Sequence, residues 1–433
     1  MGTKDFDVKR HDGEELLIPE GMTEEMAKNN LTQFFRLEGK GNEIVRVSQT
    51  FPYLRPDGAH AFMLAVEEMF GEALQNNTGR FGEIPPKQIA IEVAPGETAV
   101  VPWGEFSLPG IEGSIETDAS VQNGLVVFEL VALIREKDVS KFRELTALTG
   151  KILESKSIYK GKAINASMAG LEPRISFISP NSDLFGVFND HLQRSIDSEV
   201  MLPIRYPDQA KSIMGGSLKR GILLAGVYGT GKTLTAVQIA AEATKDGWTF
   251  VYVKDSSELA KFLEFAKMYS PAVVFAEDID LVVGRSRDGN VNEILNVLDG
   301  VDSKNDQIVT VMTTNSLDDI HKAMMRPGRI DSVIKFDLPD AKTAGGIVRM
   351  HGGEDASALD LDEVGELLAG IEPALIVEVV RRARLRALSE SGGKNYTLAM
   401  QNLEEAFGLV KLERGLVDTG SLNGVPEKIK ETV

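Results

Sequence analysis

The 433 residues contain no cysteine. Disulfides and thiolate metal sites are therefore excluded, and the composition fits a reducing compartment. Histidine is scarce as well. His11, His60, His191, His321 and His351 lie scattered, without metal-site spacing, and each reads as a surface or satisfied core residue. No apolar run reaches the length of a membrane span; the stretch 125–134 is interrupted by Glu129. Residues 1–15 are charged and have no apolar core, so no signal peptide is expected. Positive charge is in deficit, with 47 Lys and Arg against 65 Asp and Glu and a formal charge of −18. That argues against coating nucleic acid or an anionic membrane through bulk charge, though it leaves room for a local basic channel. Together these absences predict a soluble, cytoplasmic protein with no membrane partner, and make nucleic acid an unfavoured one.

The length favours about three domains. Residues 1–181 carry no chemical motif and are expected to form a mixed α/β N-terminal domain. It would serve as an adaptor or oligomerisation unit, or recruit a substrate. Within it, Phe62, Ala65, Val66, Met69, Phe70 and Ala73 recur at helical spacing and predict a helix over 61–74. Strands are expected over 88–93, 98–101 and 124–134, a helix over 139–157 and a strand over 174–178. A helix over 184–198 follows. The proline-punctuated Leu202-Pro203-Ile204 and Tyr206-Pro207 then lead into the next domain.

From Gly221 the pattern becomes apolar strands alternating with helices, at 222–225, 249–253, 273–276, 308–313 and 333–338. Such alternation predicts a parallel sheet covered by helices, an α/β class. The first strand runs into Gly226-Val227-Tyr228-Gly229-Thr230-Gly231-Lys232-Thr233, and Leu234 opens a helix-like stretch. Strand, glycine-rich loop, Gly-Lys-Thr and helix make the P-loop pattern in its required context. The glycines let successive N–H groups wrap a phosphate, and the helix N-terminus faces the same anion. Lys232 is placed to reach the β- and γ-phosphates of ATP, and the Thr233 hydroxyl to bind Mg²⁺. Residues 182–340 form the expected nucleotide-binding subdomain. Residues 341–433, helical in pattern, form an expected small lid with a tail.

Carboxylates follow the third strand of this module, in Phe275-Ala276-Glu277-Asp278-Ile279-Asp280. Glu277 and Asp278 are candidates to hold Mg²⁺ and to orient an attacking water. Asn315, after the fourth strand, could bond that water or the γ-phosphate. Arg326 and Arg329 flank Pro327-Gly328, a rigid turn able to present guanidinium groups outward.

These stretches resemble the AAA family of ATPases over about 199–412. The resemblance rests on residues 226–233, the run from Pro271 to Asp280 and the run from Val291 to Gly300. It continues through Thr313-Thr314-Asn315, Met325-Arg326-Pro327-Gly328-Arg329-Ile330-Asp331 and Leu338-Pro339-Asp340. It implies a ring-forming ATPase, usually a homo-hexamer, with nucleotide between subunits and Arg326 and Arg329 acting in trans as arginine fingers. Such proteins mostly remodel, unfold or disassemble other proteins. Two features depart from the family pattern. Glu277 and Asp278 stand in the reverse of the usual order, so either carboxylate could face Mg²⁺. Residues 254–263 lack the aromatic-glycine pair that grips substrate in threading relatives, and Phe262 and Phe265 read as core. Residues 284–289 are a candidate second pore-facing loop. The alternative is a nucleotide-gated scaffold with slow hydrolysis; a nucleic-acid motor is disfavoured by the acidity.

Overall fold

The computed structural model describes residues 6–11, 14–19, 43–71, 74–75, 78–79, 82–83, 87–180, 186–283, 289–299 and 307–419, with side chains described within 43–71, 87–180, 186–283, 292–299 and 307–414. The candidate pore loop at 284–289 falls largely outside these residues. Contacts divide the chain into two units, Met1–Ile158 and Tyr159–Val433.

The first unit is built on an antiparallel sheet. β1 (Ile44–Leu54) is followed by helix α1 (Arg55–Phe70), the strand pair β2 (Gln88–Ala94) and β3 (Glu97–Pro102), then β4 (Gly113–Gln122), β5 (Leu125–Arg135) and helix α2 (Val139–Lys156). The sheet order is β1, β5, β4, then the short strands Glu105–Ser107 and Leu74–Gln75. Helix α1 starts earlier than the apolar spacing predicts, because Pro56 is pre-set for a first helical turn; it ends at Gly71, whose φ of 78° only glycine adopts readily. It lies tightly on β5, where a Cβ at Gly58 would fall 2.1 Å from the Phe128 ring. The buried Asp57 closes the end of α2 by accepting from Ser157 Oγ at 2.6 Å and Ile158 N at 3.0 Å.

The second unit is α/β. Its strands are β6 (Ala163–Ala169), β7 (Glu172–Phe177), β8 (Leu218–Ala225), β9 (Thr249–Val253), β10 (Ala272–Ala276), β11 (Gln307–Thr314) and β12 (Ser332–Lys335). They form one sheet in the order β7-β6-β9-β10-β11-β8-β12. All neighbours are parallel except β7, which returns antiparallel to β6. Helices α3 (Asp190–Ile196), α4 (Lys232–Lys245), α5 (Leu259–Met268) and α6 (Gly289–Asp299) accompany it. The strand expected over 174–178 is thus present, but it belongs to the second unit's sheet. The unit boundary accordingly falls at 158/159 rather than near 181. Strand β6, read as nothing in particular from its Ala- and Ser-containing sequence, extends the sheet by pairing with β9.

Among the described residues after Pro339 the regular elements are helical, chiefly α7 (Ala341–Gly352), α8 (Leu361–Leu368), α9 (Pro373–Glu390) and α10 (Met400–Thr419). They surround a separate core that includes Ile347, Val348, Val364, Leu368, Ile376, Val379, Leu403 and Phe407. Helix α7 has no clear sequence signal, because Gly345 and Gly346 interrupt it. The structure accounts for Gly345: a Cβ there would lie 2.5 Å from Leu361 O, so the glycine admits the start of α8. No helix among the described residues is long and apolar enough to cross a membrane.

Candidate functional site

Parallel pairing brings the candidate residues together. Ala225 ends β8 in register with Thr314 on β11, and Ala276 ends β10 in register with Met312. The segments that follow β8, β10 and β11 therefore emerge along one edge, where open α/β sheets bind ligands. These segments are the glycine-rich loop, Glu277-Asp278 and Asn315.

Backbone sterics shape the loop. Gly229 and Gly231 have φ of 76° and 99°, values that L side chains rarely adopt. A Cβ at Gly226 would fall 2.5 Å from Phe336 O on the next strand segment. Gly231 precedes helix α4, whose first residues are Lys232, Thr233 and Leu234. Lys232 Nζ donates to Gly226 O at 2.6 Å, Val227 O at 3.0 Å and Asn315 Oδ1 at 2.9 Å. Burial holds this ammonium below its ordinary value, against the raising pull of Asp278, Asp280 and Glu277.

The two carboxylates occupy different places. Glu277 accepts from the Thr233 hydroxyl on one oxygen and from the Tyr252 hydroxyl, at 2.5 Å, on the other. Burial first, then the Glu277 bond, raises the Tyr252 phenol and keeps it a donor. Asp278 accepts from Asn315 Nδ2 at 2.7 Å, and its own N–H donates to Thr313 Oγ1 at 3.0 Å. Its φ is 48°, a left-handed conformation uncommon outside glycine. Asn315 therefore links Lys232 and Asp278 through the two ends of one amide. Nearby, Asp280 Oδ1 is buried without a hydrogen-bond partner among the described residues.

A cavity of about 380 Å³ opens beside the loop. Its lining combines Tyr228 to Leu234, Glu277, Asp278, Thr313 and Asn315 with a largely apolar set, Val187, Phe188, Ile347, Met350, His351 and Val377. His351, read from sequence as a surface or core residue, thus lines the cavity; burial first, then Arg381, lowers its imidazole. None of these apolar lining residues carries a sequence signal, because the stretch before α3 and two lid helices supply them. The lid also touches the loop directly, with Ala374 N donating to Gly229 O at 3.1 Å.

The arginine pair divides. Arg329 is held within its own chain: Nε donates to Asp299 Oδ1 at 2.6 Å and Nη1 to Ala323 O at 2.7 Å. Arg326 is exposed, and its charge adds to that of Arg329 in holding the Asp299 carboxyl below its ordinary value. Asp331, noted in sequence only as part of the run, fixes the turn between them. Its Oδ1 accepts from Gly328 N at 2.8 Å and its Oδ2 from Gly221 N, on β8, at 2.9 Å.

Residues 222–338 match the family model described as "ATPase family associated with various cellular activities (AAA)". This stretch is an AAA ATPase domain. The chain is 30% identical over 279 residues to the ATP-dependent zinc metalloprotease FtsH of Helicobacter felis, covering 58% of this chain and 41% of that protein. It is 32% identical over 223 residues to the 26S proteasome regulatory subunit 4 homolog of Schizosaccharomyces pombe, covering 46% and 48%. The chain thus spans less than half the length of these relatives. No two histidines in the sequence stand four apart, so the His-Glu-x-x-His zinc motif does not occur within it. Among the described residues no cluster of three or more acidic, His or Cys side chains could hold a metal. Mg²⁺ needs no such cluster, since it binds through one or two protein groups, substrate phosphates and water. The observed donor set fits it: a hydroxyl and a carboxylate meet at the mouth of a loop whose glycines leave room for phosphate.

Proposed function

We propose that this protein binds ATP with Mg²⁺ at the loop and hydrolyses it as a subunit of an oligomeric ring that remodels or disassembles proteins. The observation that carries this reading is the convergence of Lys232, Thr233, Glu277, Asp278 and Asn315 on one cavity that also has an apolar lining. The apolar lining suits a base, and the loop N–H groups and α4 N-terminus suit the phosphates.

Each residue has a distinct task. Lys232 exchanges its carbonyl partners for phosphate oxygens. Thr233 and Glu277 form the Mg²⁺ side of the site, a reading supported by the hydrogen bond between them. Asp278, steered by Asn315, orients the attacking water and takes up its proton. Mg²⁺, when bound, neutralises phosphate charge and favours displacement at phosphorus. Arg326, exposed on a braced turn, reaches the nucleotide of a neighbouring copy, while Arg329 holds that turn through Asp299. The homo-hexameric ring belongs to this reading, as does a cytoplasmic setting, which the absence of cysteine suits.

A second reading, an ATP-gated scaffold with slow turnover, has its own support. Phe262, Phe265 and Tyr269 are all buried, so residues 254–270 offer no exposed aromatic to grip a substrate. Particle mass in ATP and in ADP, measured beside turnover with protein substrates, separates the two. If Lys232→Ala bound and hydrolysed ATP as well as the parent, the site itself would be misassigned.

A further inference from the structure

Tyr252 has no place in the motif set, yet its side chain meets the site. It lies on β9, in register with Phe275 on β10. The two rings stack with centroids 5.9 Å apart and planes 12° from parallel. Stacking alone would make Tyr252 a packing residue, and phenylalanine would serve as well. The hydroxyl adds something else. It extends past Phe275, the ring two residues before Glu277, and donates to Glu277 Oε2 at 2.5 Å. The other oxygen, Oε1, accepts from Thr233.

The Glu277 carboxylate is thus gripped by two hydroxyls, one on each oxygen. Glutamate has one more rotatable bond than aspartate, and its terminal torsion is broad, so an unrestrained carboxylate would sample many orientations. Mg²⁺ demands near-ideal octahedral geometry, and groups that orient a ligand from behind tune metal affinity. Because the ring is clamped on Phe275, the hydroxyl is a fixed point rather than a mobile partner.

We propose that Tyr252 is a positioning residue that orients the Glu277 carboxylate for Mg²⁺ and lets a glutamate serve at this place. The proposal rests on the ATP–Mg²⁺ reading of the site.

The test is a Mg²⁺ titration of ATP binding, followed with a fluorescent ATP analogue, on the full chain. The parent, Tyr252→Phe, Glu277→Asp and the double variant are compared, with Mg²⁺-free affinity measured in chelator. Tyr252→Phe keeps the ring and its stacking. We expect it to leave Mg²⁺-free affinity unchanged and to raise the half-saturating Mg²⁺ concentration on the order of 10-fold. In Glu277→Asp the shorter side chain no longer reaches Tyr252, so adding Tyr252→Phe should cause no further shift. Superimposable Mg²⁺ titrations of parent and Tyr252→Phe would overturn the proposal. So would full additivity in the double variant, or an equal loss of Mg²⁺-free binding in Tyr252→Phe. A parent that binds no ATP under any condition would instead overturn the functional reading beneath it.

Discussion

Lys232 Nζ and Asn315 Oδ1 are hydrogen-bonded at 2.9 Å, across 83 residues of sequence. The same amide holds Asp278 through Nδ2. Asn315 therefore senses both the phosphate-binding ammonium and the carboxylate assigned to water. Replacing it with alanine should lower the ATP hydrolysis rate by about 100-fold while ATP affinity changes only a few-fold. Steady-state phosphate release and equilibrium nucleotide binding check this; equal loss in both would contradict the role.

Lys232 carries a buried charge. Its ammonium is held below the ordinary value of 10.5, chiefly by burial. Between that lowered value and 10.5 the unfolded chain binds the proton more readily, so stability rises with pH through this alkaline window. Below it, the buried charge costs stability. Lys232→Met should therefore raise the melting temperature of nucleotide-free protein at neutral pH and flatten its rise toward pH 10, while abolishing ATP binding. Thermal melts across pH with and without ATP test both.

The two arginines should separate experimentally. Arg326 is exposed, so Arg326→Ala should leave stability within about 0.5 kcal/mol and still cut hydrolysis by about 1000-fold in the assembled ring. Arg329→Ala removes bonds to Asp299 and Ala323 O, and should cost about 1–2 kcal/mol, reduced by the partial exposure of Asp299. Urea denaturation beside turnover distinguishes them. Equal stability loss in both would undo the division of labour.

The unit boundary also predicts an outcome. A fragment starting at Tyr159 keeps β6 and β7 and should bind ATP. One starting at Ser182 strips both strands from β9, leaving an apolar edge open, and should aggregate. Size-exclusion chromatography of the two fragments decides this.

The phosphate loop and the strands around it were legible because each carries a local signal: glycine spacing, or an apolar run bounded by polar residues. Asp278 and Asn315 were legible because they end such strands. Residues 163–169 were not, because this short alanine- and serine-containing strand extends the parallel sheet only through a partner, β9, far away in sequence. Helix α7 was masked by Gly345 and Gly346, whose lack of side chains answers a packing demand. His351 and Phe188 reach the cavity, and Tyr252 the Glu277 carboxylate, through tertiary placement, and no neighbour in sequence announces that. The separate fates of Arg326 and Arg329, three residues apart, depend on Asp299, which only the folded chain brings near.

The hydrogen bond from Ala374 N to Gly229 O joins lid and phosphate loop through main chain alone. A survey that trims side chains one by one leaves this link standing at every position, and would report the lid as a bystander. Only a residue without an N–H removes it, and position 374, next to Pro373 in the first turn of α9, is where the helix itself tolerates proline. Ala374→Pro thus cuts one thread between the two bodies and leaves each intact, and whatever movement passes from nucleotide to lid along that thread should fall silent.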